Sequence, residues 1–341
     1  MKILFVRLSA IGDVIQAAAA LQLYRNAHPE VKIYWAVDRA VATLVSAFGV
    51  VDHVIAVDAD GLFKGSLVSR LSSLWKSMRQ IAAYGAFDEV YTAHPDWRFG
   101  LLARLVKSNK RVSPKSLPRS RGYILDRNRT FEYYRLLTGQ DSGRLAIDAA
   151  LAALGANALS SQSKADLQRF GLPGGYIALV PGGARNMLRD NPQRRWPIEN
   201  YIGLAERLSQ KYPVVLLGGP DDRWVSKHFS SLQVVDLIGL TSLLDMVSLL
   251  DQAQCVVAHD SGPIHLASIT SAPLVGIFGP TPANAVLSSS RAKTVVFQPE
   301  NRVACSPCYD GRGYAECDAN ICMQATLVES VVAAVTSLVD S

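Results

Sequence analysis

The segment VVAHDSGPIHLASITSAPLVGIFGP, from Val256 to Pro280, decides the fold of this chain. The apolar run at 255–258 predicts a buried strand of a parallel sheet. A polar turn follows, and Pro263 suits the first position of a helix, where its missing N–H would have no partner. A second apolar run at 274–278 predicts the next strand. The segment is therefore one strand–helix–strand unit of an α/β domain.

The turn before the predicted helix has the residues of an anion site. Gly262 lets a ligand approach the backbone, and the amides of the first helical turn point outward, as in sites that hold a pyrophosphate. His265 lies on the same turn and could reach the same anion. The alternative is an ordinary crossover capped by Asp260 or Ser261, because helix caps use the same residue types.

Length and composition predict a globular protein of about two domains. The chain has 341 residues, of which 49% are hydrophobic and 19% charged, values typical of domains with substantial cores. No apolar segment reaches the roughly 18–20 residues of a membrane span. The start, MKILFVRLSAIGD, contains Arg7 and Asp13 and predicts a core strand rather than a secretion signal, so we expect a cytoplasmic protein.

Most of the positive charge lies in one segment. The net charge is +6, and residues 98–129 hold ten Lys or Arg against Asp126 alone, which gives +9 there and −3 in the remainder. A local excess of this kind indicates an anionic partner. Nucleic acid, anionic lipid and a phosphorylated sugar all fit, and a solvated basic loop is the alternative.

Strand and helix patterns alternate through both halves of the chain. This alternation predicts parallel sheets with helices on both faces, separated by a helix and linker within 138–175. The predicted strands are 3–8, 31–37, 53–57, 89–92, 176–180, 214–217, 234–238, 255–258 and 274–278. The predicted helices are 14–26, 40–48, 67–83, 97–106, 198–211, 242–253, 263–270 and 327–338. In such sheets, ligands bind in the loops that follow the strands.

The loop after the first strand ends in Gly12 and Asp13. Gly12 permits close approach of a ligand to the backbone. Asp13 lies beside a helix N-terminus, which favours its ionised form, and it is a candidate general base. The alternative role for Asp13 is a helix N-cap.

The loop after 176–180 is rich in glycine and arginine. Gly182 and Gly183 could expose amides to a phosphate, and one of four arginines, at 185, 189, 194 and 195, could neutralise a departing diphosphate. The next helix begins only near Pro197, which counts against the dinucleotide fingerprint of a dehydrogenase. Asp221 also follows a strand and suits ribose hydroxyls, with an ordinary turn carboxylate as an equal alternative.

Four cysteines near the C-terminus, Cys305, Cys308, Cys317 and Cys322, have the spacing C-x2-C-x8-C-x4-C. Thiols grouped in this way in a cytosolic protein indicate a structural zinc or iron site rather than disulfides. Because the spacing is not a standard one, free thiols in a rigid loop are the alternative.

Three groups of residues together resemble glycosyltransferase family nine, the heptosyltransferases of lipopolysaccharide assembly. They are RLSAIGDVI at 7–15, PGG at 181–183 with RRWP at 194–197, and HDSGPIHLA at 259–267 with GIFGPT at 276–281. The resemblance covers nearly the whole chain. It implies a GT-B fold, in which two Rossmann-like, doubly wound α/β domains face one cleft.

In that fold, residues 1–165 would form the acceptor-binding domain and 166–326 the nucleotide-sugar domain. A C-terminal helix at 327–341 could pack back on the N-terminal domain. The implied activity is inverting, metal-independent transfer of a heptose or related sugar from an ADP-sugar to an acidic glycolipid in lipopolysaccharide core assembly. No cofactor is required for catalysis, and the protein would lie in the cytoplasm at the inner face of the cytoplasmic membrane.

The resemblance assigns roles to individual residues. Asp13 matches the catalytic aspartate. The donor-binding candidates are Gly182, Gly183, Arg194, Asp221, Asp260, Ser261, Gly262 and His265. The acceptor-binding candidates are Gly12, Arg98, Arg119 and Arg121. At two positions the chain departs from the family pattern, since Arg194 stands where lysine is usual and Asp221 where a ribose-binding glutamate is usual.

Two other functions compete with this one. A nucleotide-sugar epimerase of similar fold would leave the basic segment 98–129 unexplained. A non-enzymatic nucleic-acid-binding protein would leave Asp13 and the phosphate loops unexplained. The basic segment also lacks the interleaved aromatic residues of a base-stacking surface.

Overall fold

The chain forms two compact units, each built on one parallel sheet. The computed structural model describes residues 1–116, 127–140, 145–162, 168–185, 190–288, 290–299, 303–311 and 313–341. The first unit ends at Asn157 and the second begins at Ala158, with Asn128 also belonging to the second. The predicted border between 165 and 166 lies outside the described residues.

The first unit contains a five-stranded sheet in the order β3-β2-β1-β4-β5. Its strands are β1 (Lys2–Val6), β2 (Lys32–Asp38), β3 (His53–Val57), β4 (Phe87–Thr92) and β5 (Ser108–Val112). The helices of this half are α1 (Ile11–Ala27), α2 (Arg39–Ala47), α3 (Ala59–Phe63), α4 (Leu67–Ala82), α5 (Trp97–Leu102), α6 (Thr130–Thr138) and α7 (Ile147–Ser160). The direction of winding reverses between β1 and β4, the position at which such sheets bind ligands.

Apolar side chains on both faces of the central strands explain this layered arrangement. Phe5 and Trp35 are fully buried, and their rings meet edge to face with 5.4 Å between centroids. Strand β5 was not predicted, because its sequence SNKRV has no apolar pattern. Its central residues are exposed, as is common at the edge of a sheet.

The second unit contains a six-stranded sheet in the order β11-β10-β9-β6-β7-β8. Its strands are β6 (Ile177–Val180), β7 (Val214–Leu216), β8 (Val235–Asp236), β9 (Cys255–His259), β10 (Leu274–Ile277) and β11 (Thr294–Phe297). Its helices are α8 (Ile198–Leu208), α9 (Leu243–Gln252), α10 (Gly262–Ser268), α11 (Ala283–Val286), α12 (Ile321–Gln324) and α13 (Val328–Val339). Winding reverses between β6 and β9, so the loops after these two strands are neighbours.

The C-terminal helix α13 packs within the second unit. Val331 and Val335 are fully buried in the same apolar core as Ile177 and Val257 of the sheet. Its valine face completes the core against β9, β10 and α8. The expectation that the helix packs back on the N-terminal domain stays a prediction.

The predicted fold class is confirmed, because both halves are doubly wound α/β sheets. Each predicted strand and helix is present, with ends that differ by a few residues. Strand β11 was missed, like β5, and it also forms an edge of its sheet. No helix among the described residues has the length and apolar character needed to cross a membrane.

Candidate active site

Asp13 lies at the carboxyl end of β1, on the first turn of α1. The N-cap of this helix is Ala10, so Asp13 does not serve as its N-cap. Its Oδ2 instead forms an ion pair with the Arg7 guanidinium, and its Oδ1 accepts a hydrogen bond of 2.8 Å from the Tyr133 hydroxyl. The side chain is 30% exposed, so a reactant can reach the carboxylate.

Arg7 is fixed by its surroundings and in turn orients Asp13. Its Nη1 donates to the Ala93 carbonyl at 3.1 Å, and its own carbonyl accepts from the Trp35 indole at 2.9 Å. The Arg7 side chain is only 8% exposed. Because a buried guanidinium needs an anionic partner, this pairing favours an ionised and oriented Asp13 carboxylate.

His94 follows β4, the strand next to β1. Its ring stacks on Phe99 with 4.0 Å between centroids, and its Nδ1 accepts from the Asp96 amide at 3.0 Å. Burial is the main cause that lowers the pKa of His94 to about 4, and the charge of Arg7 adds to the effect. His94 is therefore neutral at pH 7 and adds no positive charge beside Arg7 and Asp13.

Part of the basic segment 98–129 is paired with carboxylates that precede it in sequence. Arg98 contacts Asp96 through Nε at 3.0 Å and Nη2 at 2.5 Å, and Lys110 Nζ lies 3.0 Å from Glu89. The hydrogen bonds from Arg98 lower the pKa of Asp96. The net charge of +9 counts only residues 98–129 and leaves out both of these carboxylates. It is therefore larger than the charge that a ligand would meet.

The other predicted acceptor residues give no direct support for that role. Arg119 and Arg121 lie outside the described residues. Gly12 is buried in the first turn of α1, next to Asp13. Arg98 is already paired with Asp96. Acceptor binding by Gly12, Arg98, Arg119 and Arg121 therefore stays a prediction.

In the second unit, Arg194 and Asp260 form a bidentate ion pair. Nε donates to Oδ2 at 2.8 Å and Nη2 donates to Oδ1 at 2.6 Å. The Asp260 side chain is 0% exposed and that of Arg194 is 18% exposed. Burial by itself raises the pKa of Asp260, but the charge and hydrogen bonds of Arg194 outweigh it and hold the pKa below its ordinary value. Asp260 is therefore ionised.

Thr281 and Tyr314 complete the surroundings of this pair. Thr281 helps to lower the pKa of Asp260, and the Tyr314 hydroxyl lies 3.0 Å from the Thr281 oxygen. Burial is the main cause that raises the pKa of Tyr314 to about 12, so this hydroxyl keeps its proton. The Tyr314 ring centroid lies 5.9 Å from the Arg194 guanidinium carbon.

Asp222 closes the glycine loop that follows β6. Its Oδ1 accepts from the Gly183 amide at 2.7 Å and its Oδ2 from the Gly219 amide at 2.9 Å. Asp222 is 8% exposed, whereas the predicted ribose ligand Asp221 is exposed. The Gly183 amide therefore faces a carboxylate, which corrects the expectation that the amides of Gly182 and Gly183 are both open to phosphate.

Glycine is required in this loop by close approach. Gly183 has a φ of +88°, and a Cβ there would lie 2.8 Å from the Cβ of Ser261. A side chain at Gly182 would collide with Asp222. The loop after β6 and the turn after β9 are thus in contact, and the Arg194–Asp260 pair joins them a second time.

Helix α10 begins at Gly262 without a side-chain cap. The Ser261 hydroxyl donates to the His259 carbonyl at 3.2 Å, and Asp260 is engaged by Arg194. The alternative of a crossover capped by either side chain is therefore wrong. The predicted residues Gly182, Gly183, Arg194, Asp260, Ser261, Gly262 and His265 lie on these adjoining segments, and their donor-binding role stays a prediction.

The four clustered cysteines differ in exposure. Cys322 is buried, Cys308 is half-buried, and Cys305 and Cys317 are exposed. Burial raises the pKa of the Cys322 thiol, and the other three cysteines raise it further. Within the described ranges, no three or more His, Cys, Asp or Glu side chains are grouped to hold a metal ion, so the metal stays a prediction.

Sequence reasoning missed the residues that hold the site together. Tyr133 reaches Asp13 from 120 positions away, and no local pattern announces such a contact. Arg7 did give a signal, since it is a charge at the end of an apolar strand. Asp222 stands directly beside Asp221, and only burial separates their roles.

Comparisons with known proteins agree with this architecture. The model of glycosyltransferase family 9 (heptosyltransferase) matches residues 72–311. Lipopolysaccharide heptosyltransferase 1 of Salmonella typhimurium is 23% identical over 309 residues, which cover 89% of this chain and 96% of that protein. The solved structure of Escherichia coli heptosyltransferase WaaC with ADP has a TM-score of 0.70 at 18% identity, over 99% of this chain and 100% of that one.

One further match is local. Lipooligosaccharide heptosyltransferase 2 of Haemophilus influenzae is 36% identical over 98 residues. These residues are 26% of this chain, and they span only 28% of that protein. Together the comparisons favour a glycosyltransferase over the epimerase and the nucleic-acid-binding protein.

We expect Asp222→Ala to lower the free energy of unfolding of the second unit by about 3 kcal/mol or more, because two amides would lose a charged acceptor in a buried loop. Asp221→Ala is the matched control, and its exposed side chain should contribute within about 0.5 kcal/mol. Urea denaturation of both variants measures the difference. Equal stability would contradict the structural role of Asp222.

For the cysteines, metal analysis of protein purified without chelator should show about one equivalent of zinc or iron if all four thiolates are ligands. Replacing Cys305 and Cys308 with serine should then abolish the bound metal and lower the melting temperature. Metal-free protein that is fully active and equally stable would leave the four residues as plain thiols.

Proposed function

Because the chain belongs to glycosyltransferase family 9, the heptosyltransferase family, we propose that it transfers a heptose or a related sugar from an ADP-sugar to an acidic glycolipid acceptor. The reaction would be an inverting, metal-independent step of lipopolysaccharide core assembly. The observation that carries the proposal is the accessible Asp13 carboxylate, held by Arg7 and Tyr133 where the winding of the first sheet reverses. A carboxylate fixed by two partners is suited to a single defined proton transfer.

Asp13 acts as the general base. It takes the proton of the acceptor hydroxyl while the hydroxyl oxygen uses its electron pair to bond the anomeric carbon. The bond from that carbon to the nucleotide diphosphate breaks on the opposite face, so the configuration inverts. The Asp13 side chain is 30% exposed, so the acceptor hydroxyl can approach its carboxylate.

The second unit binds the donor and stabilises the departing diphosphate. Arg194 has five N–H donors, of which two serve Asp260. Since Asp260 neutralises much of the Arg194 charge, we infer that oriented N–H groups, including the amides at the start of α10, carry the stabilisation. Asp221 would meet the ribose from its exposed position. None of these roles needs a bound metal.

The first unit binds the acceptor. Arg98, Arg119 and Arg121 would contact its acidic groups, and Gly12 would let it approach Asp13. Because the acceptor is a lipid, the enzyme would work in the cytoplasm as a peripheral protein at the inner face of the cytoplasmic membrane. The direct test is incubation with ADP-heptose and a heptose-deficient core glycolipid. Mass spectrometry should detect acceptor enlarged by one heptose, and its absence would count against the activity.

We expect Asp13→Asn to lower kcat by about 10²–10⁴, because the amide cannot accept the proton. Nucleotide Kd should change little, whereas the melting temperature should fall, because the nearly buried Arg7 would lose its anionic partner. Asp52→Asn is the control, because Asp52 is also paired with an arginine of the first unit, Arg25. It should leave kcat unchanged. A normal kcat in Asp13→Asn would remove Asp13 from the mechanism.

We expect Arg194→Gln to weaken ADP binding by about tenfold or more, and to lower the free energy of unfolding by about 3–5 kcal/mol because Asp260 would remain buried without its partner. The double variant Arg194→Gln/Asp260→Asn removes the unpaired charge. It should recover stability while ADP binding stays weak. Calorimetric titration with ADP and thermal denaturation separate the two effects, and normal ADP affinity in the double variant would contradict the donor role.

A further inference from the structure

Helix α4 buries one face in the first unit and exposes a second, apolar face. Ile81 is fully buried in the core, and Leu74 packs against the same core. The exposed residues, here called the α4 apolar surface, are Leu67 (70%), Val68 (78%), Leu71 (57%) and Trp75 (53%). Three of them are spaced by four positions, so they form one line along the helix.

Basic residues continue this surface. Arg79 follows Trp75 by four positions and Lys76 follows Val68 by eight, and both basic side chains are exposed. Residues 61–87 contain four Lys or Arg, at 64, 70, 76 and 79, and no Asp or Glu. Lys64 pairs with Asp60 at 2.8 Å, and the other three basic residues of the segment, Arg70, Lys76 and Arg79, lie on the helix itself.

This combination matches the chemistry of a membrane surface. A helix with an apolar stripe, tryptophan and flanking Lys or Arg lies in the plane of the headgroups. Basic residues beside that stripe are attracted by anionic lipids. Helix α4 has 16 residues and spans about 24 Å, long enough to lie along the surface. We propose that the α4 apolar surface docks on the anionic face of a lipid bilayer.

Charge favours a bilayer over a second copy of the chain. A symmetric dimer would place the same patch on both subunits. Two α4 surfaces would then face each other with Arg70, Lys76 and Arg79 on each side and no acidic residue from 61–87 to pair them. Anionic headgroups instead complement these residues, while Leu71 and Trp75 enter the apolar layer beneath.

The inference rests on the proposed function in one respect, because docking on the bilayer would bring the enzyme to a lipid-anchored acceptor. Bound to the surface, the enzyme would search for its acceptor in two dimensions. Docking is nevertheless a binding property, and it can be measured without any transfer of sugar.

The test is cosedimentation with vesicles of phosphatidylcholine alone or mixed equally with phosphatidylglycerol. The unmodified chain should bind the anionic vesicles, and less so as salt rises. Leu71→Gln/Trp75→Gln should bind about tenfold or more weakly, because two apolar side chains no longer leave water. Lys76→Gln/Arg79→Gln should lose roughly fivefold per charge on anionic vesicles only. The control Leu240→Gln/Leu327→Gln changes two residues of the second unit that are 62% and 61% exposed, and it should bind normally.

Two results would overturn the proposal. One is equal vesicle binding by Leu71→Gln/Trp75→Gln and the unmodified chain, with melting temperatures showing that both are folded. The other is sedimentation equilibrium that shows a dimer without vesicles and a monomer for the same variant, which would make the surface an interface between copies.

Activity separates this proposal from the function itself. With a water-soluble, deacylated acceptor, Leu71→Gln/Trp75→Gln should keep the unmodified kcat, and with acceptor in vesicles it should be slower. If the unmodified chain transfers no sugar to either acceptor but shows the expected vesicle binding, the proposed function fails and the docking surface stands.

Discussion

The buried ion pair between Arg194 and Asp260 is the interaction on which the loops at the carboxyl edge of the second sheet depend. Asp260 ends a central strand with no exposure to solvent, and an unpaired carboxylate there would cost several kcal/mol. The long loop after β6 therefore has to approach the end of β9, where Arg194 pairs with Asp260. Thr281, after β10, helps to lower the pKa of the same carboxylate, and the Tyr314 hydroxyl lies 3.0 Å from the Thr281 oxygen. One buried charge thus ties together loops from three adjacent strands.

Both units place an aspartate–arginine pair at the carboxyl end of a central strand, but burial gives the two pairs different capacities. Asp13 is 30% exposed and pairs with a nearly buried Arg7. In the second unit the carboxylate is the fully buried partner and Arg194 keeps the exposed fraction. The first arrangement leaves a carboxylate partly exposed, whereas the second leaves a guanidinium partly exposed. The two pairs have the same residue types, but the exposed partner is the aspartate in the first unit and the arginine in the second. An exposed carboxylate suits a general base, and an exposed guanidinium suits an anion site.

Much of the candidate site followed from the sequence, because ligand loops follow strands and apolar periodicity locates the strands. Asp13, Arg194 and Asp260 all lie in loops or turns found in this way. The choice between Asp221 and Asp222 could not be made, since two adjacent acids have the same local propensities. Only the approach of the glycine loop to Asp222 makes that residue a structural acceptor. The edge strand β5 was missed because SNKRV lacks the apolar run that marks a buried strand. The edge strand β11 was missed although its sequence, TVVF, is mostly apolar.

The sequence by itself determined the alternation of strands and helices, the two doubly wound sheets and the loops that follow the central strands. These follow from backbone propensity and apolar spacing, which act over a few residues. The tertiary structure decided which charges are satisfied, pairing Arg98 with Asp96 and Asp13 with Tyr133. It also decided that Ile81 is buried while Leu71 and Trp75 of the same helix face solvent. Burial and ion pairing depend on contacts between residues far apart in the chain, and no local pattern contains that information.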